Sequence, residues 1–395
     1  MKFKRIEIQA FKAYNDLKDG TFDFTTLSNE VADFVSIYAP NGFGKSSFFD
    51  AIEWAFTNQI SHDDETEKDD SPESLINKEA LQEKKDGFVK IYVTSSQAPV
   101  SNHLSKGKTE AKNDRPKNNY FQEVLLLQER IDAFLKEKDA TLRYNKFMRF
   151  FGDKRLHNIY KLLVEIIQWN NREIEILERV IKRLKEISQR LTPDAQKGLQ
   201  FEFEKAIAEK DLIESQLKPL LEQERQALAD YLEKQIGAFF DIQLINALYR
   251  KIIPHPKHKV FYFKSDFCTD RSCLNLFVTG ENDGEPLVPT RYFSASQLNI
   301  LSLCIFLSKA LKIKDDDGNP VDCIFIDDPI QSLDSINILS TIDLLRSVVV
   351  CSGKQIILTT HDENFHQLLQ KKIPPDKFRA VYIELESLGK IKQTF

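Results

Sequence analysis

Residues 38–47 read YAPNGFGKSS, one position away from the spacing G-x-x-x-x-G-K-[ST]. Glycines, a lysine and a hydroxyl in that order make an anion cradle. Gly42 and Gly44 let backbone N–H groups approach a polyphosphate closely. The N-terminus of a following helix adds positive potential without side-chain charge. Lys45 would reach the terminal phosphates and Ser46 would ligate Mg²⁺, with Asn41 and Ser47 completing the grip. Ala39 stands where the first glycine of the pattern belongs. That glycine lies farthest from the phosphates and serves the turn, so alanine is tolerable there if its φ is negative.

Three further stretches carry groups that would complete a phosphate site. IFIDDP at 324–329 is an apolar run ending in two acids. Asp327, at the carboxyl end of a buried strand, can hold Mg²⁺ or its water, and Asp328 can orient or deprotonate an attacking water. The ordinary alternative for such a pair is a helix cap. TTHDENF at 359–365 follows the next apolar run and puts His361 at its end, although a lone histidine is more often structural. FSASQ at 293–297 opens a long apolar helix, where Ser294 and the next backbone N–H groups make a second anion-binding helix start, or simply an N-cap.

These residues need a sheet to hold them. Residues 3–11 alternate apolar and polar and predict a strand, as do 33–39 and 88–94. SSFFDAIEWAFTN has helical spacing, so the glycine-bearing loop sits between strand and helix, the context a phosphate loop requires. Residues 95–119 are polar and predict a long exposed loop, whose Lys106, Lys108, Lys112, Arg115 and Lys117 lack interleaved aromatics. From 157 to 236 the character changes. Leu177, Ile181, Leu184 and Leu191, then Leu217, Leu221, Leu228 and Tyr231, form heptad-like seams on charged helices. LTPDAQKG between them, with Pro193 and Gly198 as breakers, predicts a hairpin turn; arms of about 35 residues would make a rod of roughly 50 Å. Beyond 236, VFYFKSD and LNLFVTG read as paired strands, and strand–helix alternation through 323–361 predicts a parallel sheet covered on both faces. Sequence-distant ends therefore build one sheet, interrupted by a helical hairpin.

Composition bounds the reading. A length of 395 residues suits two or three domains, and 42% hydrophobic with 29% charged residues suits a packed core rather than disorder. A net charge of −5 leaves only a local patch for nucleic acid. Five cysteines, two of them in apolar runs, favour reduced thiols, and Cys268 with Cys273 lacks a second ligand pair. The start MKFKRIEIQAF has no apolar signal-peptide core, and no apolar run approaches the ~20 residues of a membrane span.

The order of phosphate loop, helical insertion, serine-started helix, acid-ended strand and histidine resembles the ABC-type ATPase heads of the SMC, SbcC and RecF group, over roughly 1–150 and 240–395. The resemblance implies an α/β fold: a P-loop ABC-type ATPase head with a mixed or parallel sheet, plus an antiparallel coiled-coil hairpin. It divides the chain into 1–156 and 237–395, the two halves of the head, and 157–236, the hairpin. FKAY at 11–14 is similar to the group's early basic segment and nominates Lys12 for phosphate. LLLQERIDAFL at 125–135 is similar to the Q-loop and nominates Gln128 for Mg²⁺ and the lytic water. FSASQ resembles a degenerate signature motif, with Ala295 and Ser296 replacing two glycines and Ser294, Ser296 and Gln297 facing nucleotide. SLD at 332–334 resembles the D-loop, so Asp334 would face a partner head, and His361 matches the switch histidine. ATP and Mg²⁺, an ATP-dependent homodimer, DNA, a nuclease or accessory partner and a cytoplasmic, membrane-free setting follow from the same resemblance. So does work in DNA repair, maintenance or anti-phage defence of the Lamassu kind. Asp328 departs from the usual glutamate, placing its carboxylate one methylene nearer the backbone, which implies slow hydrolysis. The arms are short, and no C-x-x-C hook lies at their tip. A transporter ATPase would lack the hairpin, and a nuclease of the overcoming-lysogenization type would need a domain that the 34 residues after His361 cannot supply. An ATP-gated scaffold with little hydrolysis is the alternative.

Overall fold

The computed structural model describes residues 1–60, 75–104, 117–126, 135–150, 152, 154–190, 192–253, 260–267, 272–279, 288–330 and 333–392. In chain order the main elements are β1 (Phe3–Gln9), β2 (Thr21–Asp23), β3 (Phe34–Tyr38), α1 (Lys45–Thr57), α2 (Lys78–Gln82), β4 (Gly87–Val93), β5 (Val100–Leu104) and β6 (Leu125–Leu126). Helices α3 (Ala140–Phe150), α4 (Lys154–Ser188), α5 (Pro193–Leu212), α6 (Lys218–Phe239) and α7 (Ile242–Ile252) follow. The chain closes with β7 (Val260–Phe267), β8 (Ser272–Thr279), α8 (Ala295–Ala310), β9 (Cys323–Asp327), α9 (Ser335–Ser352), β10 (Gln355–Thr360), α10 (Glu363–Lys372), β11 (Ala380–Ser387) and β12 (Lys390–Ile391). They form two compact units, one of Met1–Lys136, Phe240–Phe261 and Val278–Phe395, the other of Glu137–Phe239 and Tyr262–Phe277.

The first unit holds two sheets. One runs β2-β1-β4-β5, antiparallel throughout. The other runs β12-β11-β3-β10-β9-β6, parallel except at the β11–β12 edge. Chain ends more than 300 residues apart meet in it, as the alternating pattern predicts: β3 lies between β10 and β11. All six residues of β10 are buried, which is why QIILTT reads as a continuous run rather than an alternation. Gln355 opens that strand, and its buried amide is satisfied by Phe3 N (2.7 Å), Phe3 O (2.9 Å) and Ala32 O (2.8 Å). Phenylalanines fill the space over the sheets: Phe56 stacks on Phe121 at 4.0 Å, and Phe3 meets Phe325 edge-on at 4.9 Å. Residues 95–119 are not all loop, because Val100–Leu104 pairs with β4 as an edge strand; its polar residues face outward and hide the alternation. Residues 105–116, with four of the five basic residues noted there, lie outside the described residues.

Helix α9 is long and apolar enough, by length and composition, to cross a membrane. Here Ile342, Leu344, Leu345 and Val348 are buried, and Asp343 pairs with Arg346 at 3.1 Å on the same helix.

In the second unit, α4 packs against α5 and α6 as a helical hairpin. Pro193 opens the second arm, as the breaker reading expects, but Gly198 lies inside α5. Two of the four predicted first-seam residues join the hairpin core: Leu177 is buried with Ile174, Ala206 and Ile213, and Ile181 packs beside them, while Leu184 is outside that cluster. Leu191 lies outside the described residues. The second seam does not follow it. Leu217 is 43% and Tyr231 47% exposed, while Arg225, Ala229, Leu232 and Ile236 are buried. The reason is a π-helical turn at Ile213–Leu217. One extra residue in a turn rotates every later position by about 100°. The seam therefore moves on by one residue beyond the turn, and a straight heptad count misses it. Arg225 is satisfied by Phe267 O at 3.1 Å and Tyr160 Oη at 3.4 Å.

Candidate functional site

Register decides where the chemistry gathers. Tyr38 at the end of β3 pairs with Thr360 of β10, and Thr359 pairs with Asp327 at the end of β9. The three strands finish level, so the loops leaving them share one edge of the sheet. Ala39 is fully buried, and its N–H donates to Thr360 O at 3.0 Å. It is not among the residues of positive φ, so the methyl group strains nothing and the departure from glycine is accommodated. Gly42 and Gly44 do need glycine, with φ of +83° and +108°. A Cβ on Gly44 would also lie 3.0 Å from Ala13 Cβ. Tyr14, whose hydroxyl pKa burial raises, donates to Gly44 O at 3.0 Å and braces the loop from below.

Gly44 leads directly into α1, the first residue of which is Lys45. Its ammonium donates to Ala39 O at 2.8 Å and Pro40 O at 3.3 Å, folded over its own loop. Burial lowers its pKa, while Asp327 and Asp328 act in the opposite sense. A cavity of about 310 Å³ is lined by Asn41, Gly42, Gly44, Lys45, Ser46, Ser47, Asp327 and Asp328, with Ala13 and Leu388. Asp327 accepts the Thr359 hydroxyl. Asp328 sits at φ +42°, with its N–H on Thr359 O at 3.0 Å. One of its oxygens accepts the Thr360 hydroxyl at 3.1 Å, and the other pairs with His361 Nδ1. His361 is thus tied to the cavity through Asp328 without lining it.

Other nominated residues stand apart from the cavity lining. Ser294 is the N-cap of α8 in a full capping box: Gln297 N donates to its hydroxyl at 3.3 Å, and Ser294 N donates to Gln297 Oε1 at 3.0 Å. Ser294 is exposed, while the Ser296 hydroxyl is buried without a hydrogen-bond partner. Asp334 caps α9, accepting Asn337 N at 2.8 Å, and is exposed. Lys12 donates to Asp50 Oδ2 of α1 at 3.0 Å, with both side chains largely buried, so the neighbouring Ala13 rather than Lys12 reaches the cavity. Gln128 lies outside the described residues.

Sequence reading missed Leu388, which projects from the β11–β12 turn into the cavity wall. The Leu-Gly pair was the available signal. Gly389 has φ +63°, its N–H donates to Phe43 O at 3.0 Å, and a Cβ there would fall 2.1 Å from Ala13 O. Only glycine lets this turn lie against the loop.

The donors fit Mg²⁺ better than a resident transition metal. Ser46 and Asp327 share the cavity, and no group of three or more His, Cys, Asp or Glu able to hold a metal occurs among the described residues. Mg²⁺ is characteristically held by one or two protein oxygens together with waters and phosphate oxygens.

Comparison with known proteins agrees with this architecture. The AAA_23 family, described as AAA domain, matches residues 5–239. The chain belongs to that family. Among solved structures, this AAA-domain chain is similar to the Smc head domain with a coiled coil and joint derived from Pyrococcus yayanosii, at 12% identity and TM-score 0.50, covering 100% of this chain and 97% of that one. It is also similar to the Smc head domain with an extended coiled coil bound to the C-terminal domain of ScpA, derived from Pyrococcus furiosus (15% identity, TM-score 0.45, 99% and 95% covered). The recombination mediator protein RecF with ATP gives 13% identity, TM-score 0.45 and 92% of each chain. No curated protein matches. The fold is that of the Smc head domain with a coiled coil, an α/β AAA-domain head with a helical hairpin.

Proposed function

We propose that the chain binds ATP with Mg²⁺ in the cavity between residues 39–47 and Asp327–Asp328, and hydrolyses it between two dimerised heads. The observation that carries this reading is the convergence of Lys45, Ser46, Asp327 and Asp328 on one cavity from opposite ends of the sequence. Lys45 would exchange its loop carbonyls for the β- and γ-phosphates, and Ser46 and Asp327 would hold the metal, which neutralises phosphate charge when bound. Asp328, freed from His361, would position water for in-line attack, and Gln128 and His361 would assist it. The exposure of Ser294 and Asp334 supports contact with nucleotide held by a second head, where Ser296 and Gln297 would join. Lys12 would contribute to phosphate only after leaving Asp50. Loss of the γ-phosphate would remove those cross-head contacts and separate the heads, coupling ATP state to DNA binding or sensing in repair, maintenance or anti-phage and anti-plasmid defence.

A second reading keeps the ATP-gated dimer but little turnover, with the chain recruiting or regulating a partner nuclease. The hold of His361 and Thr360 on both oxygens of Asp328, a side chain already shorter than glutamate, favours it. Turnover measured with and without DNA, beside sizing with and without ATP–Mg²⁺, separates the two. ATP-dependent dimers with DNA-stimulated hydrolysis support the first, ATP-dependent dimers without turnover support the second, and no nucleotide-dependent change refutes both.

A further inference from the structure

Helix α4 carries two apolar stripes. One, through Tyr160, Ile167, Ile174 and Leu177, is buried within the hairpin unit. The other runs one residue behind it and faces outward: Leu162 is 56%, Ile166 36%, Trp169 60%, Ile176 47%, Val180 41% and Ile187 41% exposed. Single exposed apolar residues are ordinary. These six fall on a and d positions of successive heptads, with Glu173 and Arg183 in the two places where the apolar spacing skips to seven. The large exposed apolar residues of the second arm, Phe201, Leu212, Leu217, Leu220 and Tyr231, show no such period. The outward stripe of α4 is a coiled-coil seam with no partner among the described residues.

Its two charges say what covers it. In an antiparallel pair of identical helices, residues face each other when their numbers have a constant sum. Setting Glu173 against Arg183 of a second copy also sets Ile176 against Val180 and Trp169 against Ile187, each twice by symmetry. Those six layers are apolar or ion pairs, while Ile166 and Leu162 face positions 190 and 194, beyond the end of α4. On the flank preceding each a position, where the facing numbers sum to two more than in the seam, Arg172 faces Glu186 of the second copy twice, against one like-charged meeting of Arg179 with itself near the axis. A parallel, in-register pair would instead stack Glu173 on Glu173 and Arg183 on Arg183. We propose that a second copy of this chain docks antiparallel on the outward stripe of α4, in the register that pairs Glu173 with Arg183. This contact needs no nucleotide and is separate from any pairing of heads.

Light scattering and tryptophan emission on the nucleotide-free full chain, over a concentration series, test it. The chain has two tryptophans. Trp54 is 2% exposed and supplies a constant background, so emission changes report Trp169. The wild type is expected to pass from monomer to dimer as concentration rises, with a blue shift of emission over the same range. Glu173→Arg and Arg183→Glu, each creating two like-charged layers, are expected to raise the midpoint by about tenfold or more. The doubly swapped E173R/R183E chain is expected to return to near the wild-type midpoint. Both single variants keep helical circular dichroism, since these positions lie on the outward stripe. A monomer at every concentration overturns the proposal, as does a dimer whose midpoint ignores the single substitutions or is not restored by the swap.

Discussion

Gly44→Ala separates the geometric requirement of the loop from its sequence pattern. Gly44 has φ +108°, well beyond the left-handed helical region that L-residues occasionally adopt. Holding alanine there costs about 1–3 kcal/mol. The new Cβ would also sit 3.0 Å from Ala13 Cβ, and the Tyr14 hydroxyl, 3.4 Å away, would have to move. A total near 3 kcal/mol lowers the melting temperature by about 5 °C in a domain of this size. Ala39→Gly is the control. Ala39 is buried with φ not positive, so restoring the glycine of the pattern only loosens the chain and removes one methyl, about 1 kcal/mol. Thermal unfolding with and without ATP–Mg²⁺ reads both effects. Ligand at a hundred times its Kd stabilises by about 2.7 kcal/mol. That stabilisation is expected in the wild type and in Ala39→Gly, and is expected to vanish in Gly44→Ala. Full ATP stabilisation of Gly44→Ala would refute the reasoning, and so would an Ala39→Gly chain that binds ATP many times more tightly.

Three more outcomes follow. Asp328→Asn keeps the side-chain shape, and asparagine tolerates a φ of +42°; turnover is expected to fall by about a hundredfold or more, while ATP-dependent dimer seen by light scattering increases. If dimer does not increase, the catalytic assignment is wrong. His366 is buried beside Ser36, with Ser36 Oγ 2.9 Å from its Nδ1, and burial pushes its pKa down to about 4. The unfolded chain then binds a proton that the native state refuses, so stability is complete above about pH 6.5 and falls towards pH 4 by about 3 kcal/mol in total; denaturant titrations of wild type and His366→Asn should differ in slope through that window, and parallel slopes would exclude the histidine. Deleting exposed Ser215 from the π-helical turn removes the extra residue, so a continuous α-helix should keep the second seam facing α4 with equal or greater stability; collapse of hairpin helicity in circular dichroism would mean that the turn does more than adjust phase.

Much of the head was legible because its signals are local. A strand, a glycine-bearing loop and a helix in sequence place Lys45 and Ser46, and a short apolar run ending in acid places Asp327 and Asp328. The parallel sheet follows from runs such as QIILTT, which have no polar alternation because both faces are covered. What stayed hidden depends on distant partners or on phase. Lys12 reads as a free cation until Asp50 is seen beside it. Leu388 enters the cavity through a turn that packs on Phe43 and Ala13, about which the local sequence says only that a glycine follows. The edge strand Val100–Leu104 has one polar face and little apolar content to announce it. The second seam of the hairpin fails to follow its heptads because the π-helical turn at Ile213–Leu217 leaves no mark in the residue types.

Calorimetric titration of ATP into the wild-type chain, Lys45→Ala and Asp327→Asn, each with and without Mg²⁺, tests most directly whether one bound nucleotide meets both halves of the sheet. Binding is expected to weaken in Lys45→Ala whether or not Mg²⁺ is present. Asp327→Asn is expected to lose only the part of the affinity that Mg²⁺ adds. Wild-type protein that takes up no ATP, or two variants that bind it as the wild type does, would contradict a shared site.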